Sequence, residues 1–202
     1  MIADQDFAQS FIDQLVAGDR RAFGELVEQT SPKIYALGLR MLGNEQDAED
    51  MLQETYLKAY KALPNFEKRS SISTWLFRIA ANEALMLLRK RKSAAHLVEI
   101  EKDEESGEMP LEIVDWCCLP EQEMLSAETR TILNMAAEKL SPALRLVFQL
   151  RDVDGFSIAE TAEILGISED AVKTRLVRAR VKLREELSAY FREKMKGGER
   201  HA

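Results

Sequence analysis

The sequence has few of the residues that build catalytic and metal sites. It contains only two histidines, His96 and His201, and two cysteines, Cys117 and Cys118, which are adjacent. Two neighbouring thiols without nearby histidines make a poor metal site, and a thiol-sensing role has no further support. No glycine-rich phosphate loop is present. The sequence therefore predicts no enzymatic activity, no metal and no cofactor.

Long hydrophobic runs are also missing. No stretch approaches the roughly 20 apolar residues that cross a bilayer, and the N-terminal MIADQDFAQSF lacks the apolar core of a signal peptide. The low cysteine content indicates a reducing, cytoplasmic compartment. Glycine and proline are scarce, with 9 and 5 residues among 202. Because Leu, Ala, Ile, Val and Met are plentiful instead, we predict an all-α fold without membrane insertion.

The most informative segment is SIAETAEILGISEDAVKTRLVRARVKLREEL, residues 157–187. Ser157 is a helix cap, Gly166 ends that helix, and Ser168 followed by two acids opens the next. In the second helix, apolar residues recur at helical spacing and predict a buried stripe, with the basic residues on the opposite side. The stripe consists of Val172, Leu176, Ala179, Leu183 and Leu187. A basic second helix after a glycine turn is typical of a helix-turn-helix that enters the DNA major groove. The alternative is a solvated basic face on an ordinary core helix.

Charge is distributed unevenly along a chain whose net charge is −7. Residues 65–93 hold seven basic and two acidic side chains, whereas residues 94–124 hold one basic and ten acidic ones. DNA responds to the local basic patches, because screening confines charge effects to about 8 Å at physiological salt. We therefore predict two small helical domains, at 1–92 and 125–195, joined by an acidic flexible linker at 93–124 and followed by a disordered tail at 196–202.

Two further patterns have both a functional and a structural interpretation. The segment FEKRSSISTWLFRIAANEALMLLRKRK interleaves aromatic and basic residues, as surfaces for unpaired bases do. It is equally consistent with a core helix that has a solvated basic end. Asp47, Asp50 and Glu54 share one face of a predicted helix, which suits a basic partner, although spacing alone favours simple solvation.

Together these segments resemble a bacterial RNA polymerase sigma factor of the sigma-70 family, in the extracytoplasmic-function (ECF) group. DAEDMLQETYLKAYKAL resembles the polymerase-binding helix of that family, and FEKRSSISTWLFRIAANEALMLLRKRK resembles its −10 element reader. LSPALRLVFQLRDVDGFSIAETAEILGISEDAVKTRLVRARVKL resembles its −35 element reader. The resemblance implies sigma region 2 at 1–92, which binds core polymerase and melts the −10 element. It implies a sigma region 4 helix-turn-helix at 125–195.

The resemblance also implies site residues. The residues expected to dock on the clamp helices of the polymerase large subunit are Asp47, Asp50, Gln53 and Glu54. Those expected to contact the −10 element are Phe66, Lys68, Arg69, Ser70, Trp75, Asn82, Arg89 and Arg91. Those expected to contact the −35 element are Ser168, Lys173, Thr174, Arg175, Arg178 and Arg180.

The implied function is an alternative sigma factor that directs promoter-specific initiation in a stress or envelope response, with core polymerase, promoter DNA and an anti-sigma factor as partners. One alternative is a sigma-like decoy that binds an anti-sigma factor but not DNA. It is disfavoured because the basic face is kept and no receiver domain is attached. The other is a stand-alone helix-turn-helix regulator, which leaves the first helical block unexplained. Binding to core polymerase discriminates among the three.

Overall fold

The computed structural model describes residues 7–94 and 127–198. Within those two ranges all regular structure is helical, which confirms the predicted all-α class. The first range contains α1 (Gln9–Val16), α2 (Arg20–Leu42), α3 (Glu45–Ala62), a 3₁₀ turn (Leu63–Asn65) and α4 (Ile72–Ala94). The second contains α5 (Ala127–Glu138), α6 (Pro142–Phe148), a π turn (Gln149–Val153), α7 (Ile158–Leu165) and α8 (Glu169–Gly198).

The predicted boundaries of the linker and tail are only partly covered by the described residues. Most of the predicted linker, at 95–124, lies outside them, as do residues 199–202 of the predicted tail. Residues 93–94 belong to α4, and residues 196–198 belong to α8. Both helices therefore continue past the predicted domain ends at 92 and 195.

Local capping accounts for the breaks between the first helices. Asp19 begins α2, where its carboxylate accepts a hydrogen bond from the backbone N–H of Arg21 at 2.7 Å. Gly43 ends the helix with φ 74°, a conformation that favours glycine, and Asn44 then caps α3. In the sequence, Gly18–Asp19 and Gly43–Asn44 predict breaks between helices, and the structure confirms both.

In the sequence, Ser31–Pro32 predicts the start of a new helix. This prediction is wrong, because α2 runs unbroken through Pro32. Proline inside a helix costs about 3 kcal/mol through a lost hydrogen bond and a clash. The apolar stripe along α2 continues at helical spacing on both sides of the proline, and its burial offsets that cost. The buried members of this stripe are Leu26, Ile34, Leu37 and Met41. Thr30 adds a link to α3, since its hydroxyl lies 2.6 Å from that of Tyr56.

The two described ranges pack directly against each other. Leu146, Leu150 and Ile164 belong to the same buried cluster as the cores of α2, α3 and α4. The rings of Phe77 in α4 and Phe156 lie 4.7 Å apart between centroids, edge to face. This contact between the two halves was not predicted from the sequence, which indicated only two domains joined by a linker.

A close helix approach at Gly38 generates a test of the packing. A Cβ built there would lie 2.8 Å from the Cε of Met51 and 3.3 Å from the Cα of Ala48, so backbone as well as a side chain must shift. We expect Gly38→Ala to lower the free energy of unfolding by about 1–3 kcal/mol. Gly24→Ala is the matched control, since a Cβ there meets nothing within 4 Å. It should leave stability unchanged or raise it by about 0.5–1 kcal/mol, as measured by denaturant unfolding. Equal effects of the two substitutions would contradict the packing.

Candidate nucleic-acid and polymerase interfaces

The second half of the chain forms the predicted helix-turn-helix. Ser157 accepts a hydrogen bond from the N–H of Glu160 at 3.1 Å, and the Glu160 carboxylate accepts one from the N–H of Ser157 at 2.8 Å. This reciprocal pair is a capping box. Gly166 ends α7 with φ 64°, and the Ser168 hydroxyl caps α8 at Ala171. The predicted stripe is buried at Val172, Leu176, Ala179 and Leu183, and its last member, Leu187, is half-buried.

Burying that stripe leaves the basic side of α8 facing outward. Lys173 is exposed and forms an ion pair with Asp170 at 3.0 Å, while Thr174, Arg175 and Arg178 are half-exposed. Among the described residues, Arg175 and Arg178 have no hydrogen-bond or ion-pair partner. Two guanidinium groups that have no carboxylate partner in the described residues, in the second and third turns of α8, are suited to base edges or phosphates.

Arg180 differs from its neighbours because a carboxylate already holds it. Its Nε and Nη2 donate to the two carboxylate oxygens of Asp152 at 2.9 and 2.8 Å. Asp152 lies in the π turn, so this bidentate pair joins α8 to the segment before α7. A phosphate contact by Arg180 would have to replace or share that pair.

The segment predicted to read the −10 element divides into a buried and an exposed part. Phe66 is 7% exposed, and its ring lies 5.2 Å from that of half-buried Trp75. These two aromatic residues support the loop from within, rather than presenting free rings for stacking. In contrast, Asn82 of α4 is exposed, and its side-chain amide has no hydrogen bond within the described part of the chain.

The loop between Phe66 and α4 is held by local contacts. Lys68 adopts φ 57°, an uncommon conformation for a residue other than glycine, and forms an ion pair with Asp13 of α1. That hydrogen bond is the main reason why the pKa of Asp13 lies below its usual value. Arg69 pairs with Glu67 at 2.7 Å, and half-exposed Ser70 follows it. Both basic side chains of the loop therefore already have a carboxylate partner.

The basic end of α4 contributes two predicted residues in different environments. Arg89 is exposed and has no ion-pair partner among the described residues. Arg91 donates to the backbone carbonyl of Leu42 at 2.6 Å and forms an ion pair with Asp47. The structure thus joins a residue predicted for DNA to one predicted for polymerase.

The acidic face of α3 is open to solvent. Asp50, Gln53 and Glu54 are exposed, whereas Asp47 is half-exposed beside Arg91. Leu57 continues the same face one turn further on and is 53% exposed. Leu57 is not among the predicted site residues, although its i+3 spacing from Glu54 is the signal that identifies it. An exposed leucine beside three polar residues gives this face an apolar component suited to a protein partner.

Comparison with known proteins agrees with this arrangement. Residues 26–94 match the family model Sigma-70 region 2, and residues 130–183 match Sigma-70, region 4. The chain is 38% identical over 87% of its length, and 94% of the relative's, to the ECF RNA polymerase sigma factor SigW of Bacillus subtilis (strain 168). It is 35% identical to the ECF RNA polymerase sigma-E factor of Escherichia coli (strain K12), over 89% of this chain and 93% of that one.

Two solved structures are also similar. One, described as CnrH in complex with the cytosolic domain of CnrY, has a TM-score of 0.63 at 30% identity and covers 89% of this chain and 96% of that one. The other, the sigma factor RpoE with the anti-sigma factor NepR from Bartonella quintana, has a TM-score of 0.60 at 26% identity, covering 83% and 98%. The chain belongs to the sigma-70 family, as an ECF sigma factor. It acts as an alternative sigma factor in transcription initiation.

Proposed function

We propose that three surfaces of this sigma factor carry its function: the acidic face of α3 for core polymerase, the exposed side of α4 around Asn82 for the −10 element, and the basic face of α8 for the −35 element. The observation that carries the proposal is that Arg175 and Arg178, on the outer side of a helix-turn-helix, have no hydrogen-bond or ion-pair partner within residues 7–94 and 127–198. The factor contributes positioning and DNA melting to the holoenzyme and performs no chemistry of its own.

The −35 element is read by the first turns of α8. Arg178 lies one turn beyond Thr174 and points away from the buried stripe, so it can reach a base edge in the major groove. Ser168 and Lys173 stand at the N-terminal end of the helix, where N–H groups and a cation favour phosphate. Arg180, whose charge is already neutralised by Asp152, contacts phosphate at the edge of the basic face of α8.

The −10 element is captured as single-stranded DNA. An extruded base loses stacking worth a few kcal/mol, so it needs a site with polar groups free to receive it. Among the described residues the amide of Asn82 has no hydrogen-bond partner, and we propose that Lys68, Arg69, Ser70 and Arg89 of the same segment contact the backbone of the strand. Phe66 and Trp75 act mainly by packing under the loop.

Core polymerase is bound through opposite charge and a small apolar contact. Asp50, Gln53 and Glu54 face solvent together, with Leu57 beside them, and the partner surface is expected to be basic. Asp47 takes part at the edge, where Arg91 already pairs with it. The clamp helices of the polymerase large subunit are the proposed partner.

Control by an anti-sigma factor is also proposed, because both similar solved structures are complexes, one of them named as an anti-sigma complex. Within residues 7–94 and 127–198 no helix has the length and apolarity needed to cross a membrane. We propose a cytoplasmic protein with region 2 in the first half and region 4 in the second. A decoy without DNA binding would have no use for the unpartnered arginines of α8.

Replacing Asp50 and Glu54 together by Lys tests the polymerase face. Both residues are exposed, so the fold should persist, while binding to core polymerase should weaken by more than about tenfold through like-charge repulsion. The matched control is Glu25→Lys with Glu28→Lys, which makes the same charge change at exposed positions of α2. Affinity measured by titration of labelled protein should fall only for the α3 variant. Equal affinities for both variants would remove this face from the proposal.

Asn82→Ala tests the melting step. The variant should bind the closed promoter nearly normally but form fewer open complexes, because the proposed receptor for the unstacked base is lost. Permanganate footprinting of the −10 region reports the open complex, and gel retardation of the closed complex reports binding. Asn134→Ala, at an exposed amide of α5, is the control. A parallel loss at both stages would argue against a melting role for Asn82.

Arg178→Ala and Arg180→Ala should differ in kind. Loss of Arg178 should change which −35 variants are preferred, at a cost of about 1–3 kcal/mol for one base position. Loss of Arg180 should weaken all promoters alike and reduce the salt dependence. The measurement is transcription from a library of promoters with each variant. If both variants lower transcription evenly across the library, the assigned reading face of α8 is contradicted.

A further inference from the structure

We propose that α1 positions the loop of residues 67–71 for capture of the −10 element, and that Asp13 is the positioning residue, acting on the loop through Lys68. The loop lies between Phe66 and α4. α1 comes before residues 26–94, which match Sigma-70 region 2, so this role extends the −10 reader by one helix. The inference rests on the proposed function for its effect on promoters, and on the contacts of α1 for its structural basis.

Both ends of the loop are anchored in an apolar cluster to which α1 contributes. Phe66 before the loop and Ile72 after it are buried in the same cluster as Leu15 of α1. Phe11 and Ile12 of α1 pack against this cluster as well. Separating α1 from the loop would expose apolar surface on both, which is unfavourable in water. The backbone on either side of the loop is therefore fixed relative to α1.

The middle of the loop has a backbone conformation that its own sequence does not favour. Lys68 adopts φ 57°, and among the described residues it is the only one other than glycine with a positive φ. This region is disfavoured for lysine, because the Cβ atom comes too close to the backbone carbonyl oxygen. A contact from outside the loop is therefore needed to select this conformation over the alternatives.

Asp13 of α1 provides that contact. Its carboxylate forms an ion pair with the ammonium group of Lys68. The Oδ1 atom of Asp13 also accepts a hydrogen bond from Nε2 of Gln9, one turn earlier in α1, at 3.3 Å, and this bond limits the freedom of the carboxylate. α1 thus contacts the loop in its middle as well as at both ends.

The ion pair is too exposed to contribute much to the stability of the fold. The side chains of Asp13 and Lys68 are 57% and 38% exposed, and exposed pairs stabilise proteins little because water and salt screen them. The larger effect is on the loop, because the backbone at Lys68 sets the direction in which Arg69 and Ser70 follow. The ammonium group has three donors, so one can bind Asp13 while another is left for a phosphate.

Fixing the loop in advance lowers the entropic cost of capturing the unpaired strand. When Asp13 no longer holds Lys68, the loop has to be ordered at the moment of capture, and capture weakens. Core polymerase and the −35 element bind α3 and α8 in the proposed function. Those two steps should therefore not depend on Asp13.

Asp13→Lys in the full-length chain, assembled with core polymerase, tests this role. The substitution places a like charge beside Lys68, and open complexes should decrease by about two- to fivefold, the size of effect that exposed ion pairs have. Permanganate footprinting of the −10 region reports the open complex. Closed-complex binding, affinity for core polymerase and the midpoint of denaturant unfolding should stay at their wild-type values. Glu28→Lys, at an exposed position of α2, makes the same charge change and is the matched control.

Further variants show whether Asp13 acts through Lys68. Glycine adopts a positive φ without penalty, so in a chain that carries Lys68→Gly the Asp13→Lys substitution should have no further effect on open complexes. Asp13→Glu keeps the carboxylate and should form open complexes at a nearly wild-type level. If Asp13→Lys does not fold, Asp13→Asn carries the same prediction with a smaller decrease, because it removes the charge without reversing it.

The inference is overturned if folded Asp13→Lys and Glu28→Lys give equal amounts of open complex, or if the effect of Asp13→Lys is undiminished in the Lys68→Gly background. It is also overturned if the unfolding midpoint falls together with the open complexes, since the contact would then serve the fold alone. Failure of the proposed function is a different result, in which Asn82→Ala leaves open complexes intact. If Asn82→Ala impairs melting and Asp13→Lys does not, only the role of α1 fails.

Discussion

The last turn of α2 is the point on which the described arrangement depends. The final carbonyls of a helix have no partner within the helix and must find one elsewhere. The Met41 carbonyl accepts from Arg145 of the second half, and the Leu42 carbonyl accepts from Arg91 of α4. Arg40 on the same turn pairs with Asp154. One helix end thus holds both the neighbouring helix and the other half of the chain, and a cationic partner suits the negative end of the helix dipole.

This helix end also links the proposed binding surfaces. Arg91 cannot contact a phosphate at full strength while it pairs with Asp47, and Asp47 lies at the edge of the polymerase face. A cationic side chain of the polymerase that binds Asp47 would weaken the ion pair between Asp47 and Arg91. The polymerase and −10 surfaces therefore share one charge pair, so binding at one changes the charge available at the other.

The local features of this fold could be predicted from sequence, because each depends on residues a few positions apart. The Ser157 cap, the turn at Gly166 and the stripe from Val172 to Leu183 are of this kind. The continuity of α2 through Pro32 could not be predicted, because burial along the whole helix decides it. The pair between Arg180 and Asp152 and the contact between Phe77 and Phe156 join residues distant in sequence. Sequence periodicity does not predict contacts between residues so far apart. Family resemblance therefore predicted which residues form the sites, whereas the structure was needed to show which residues contact each other.

The ion pairs within the chain explain how an acidic protein can be selective for DNA. Lys68, Lys173 and Arg180 each have a carboxylate partner, whereas Arg175 and Arg178 have none in the described residues. A paired cation releases fewer counterions on binding phosphate, because it must first give up its own carboxylate. Sequence-independent attraction is therefore weaker than the number of basic residues suggests. Under the proposed function, Arg175 and Arg178, which are unpaired among the described residues, then account for a larger share of the binding energy through contacts with base edges.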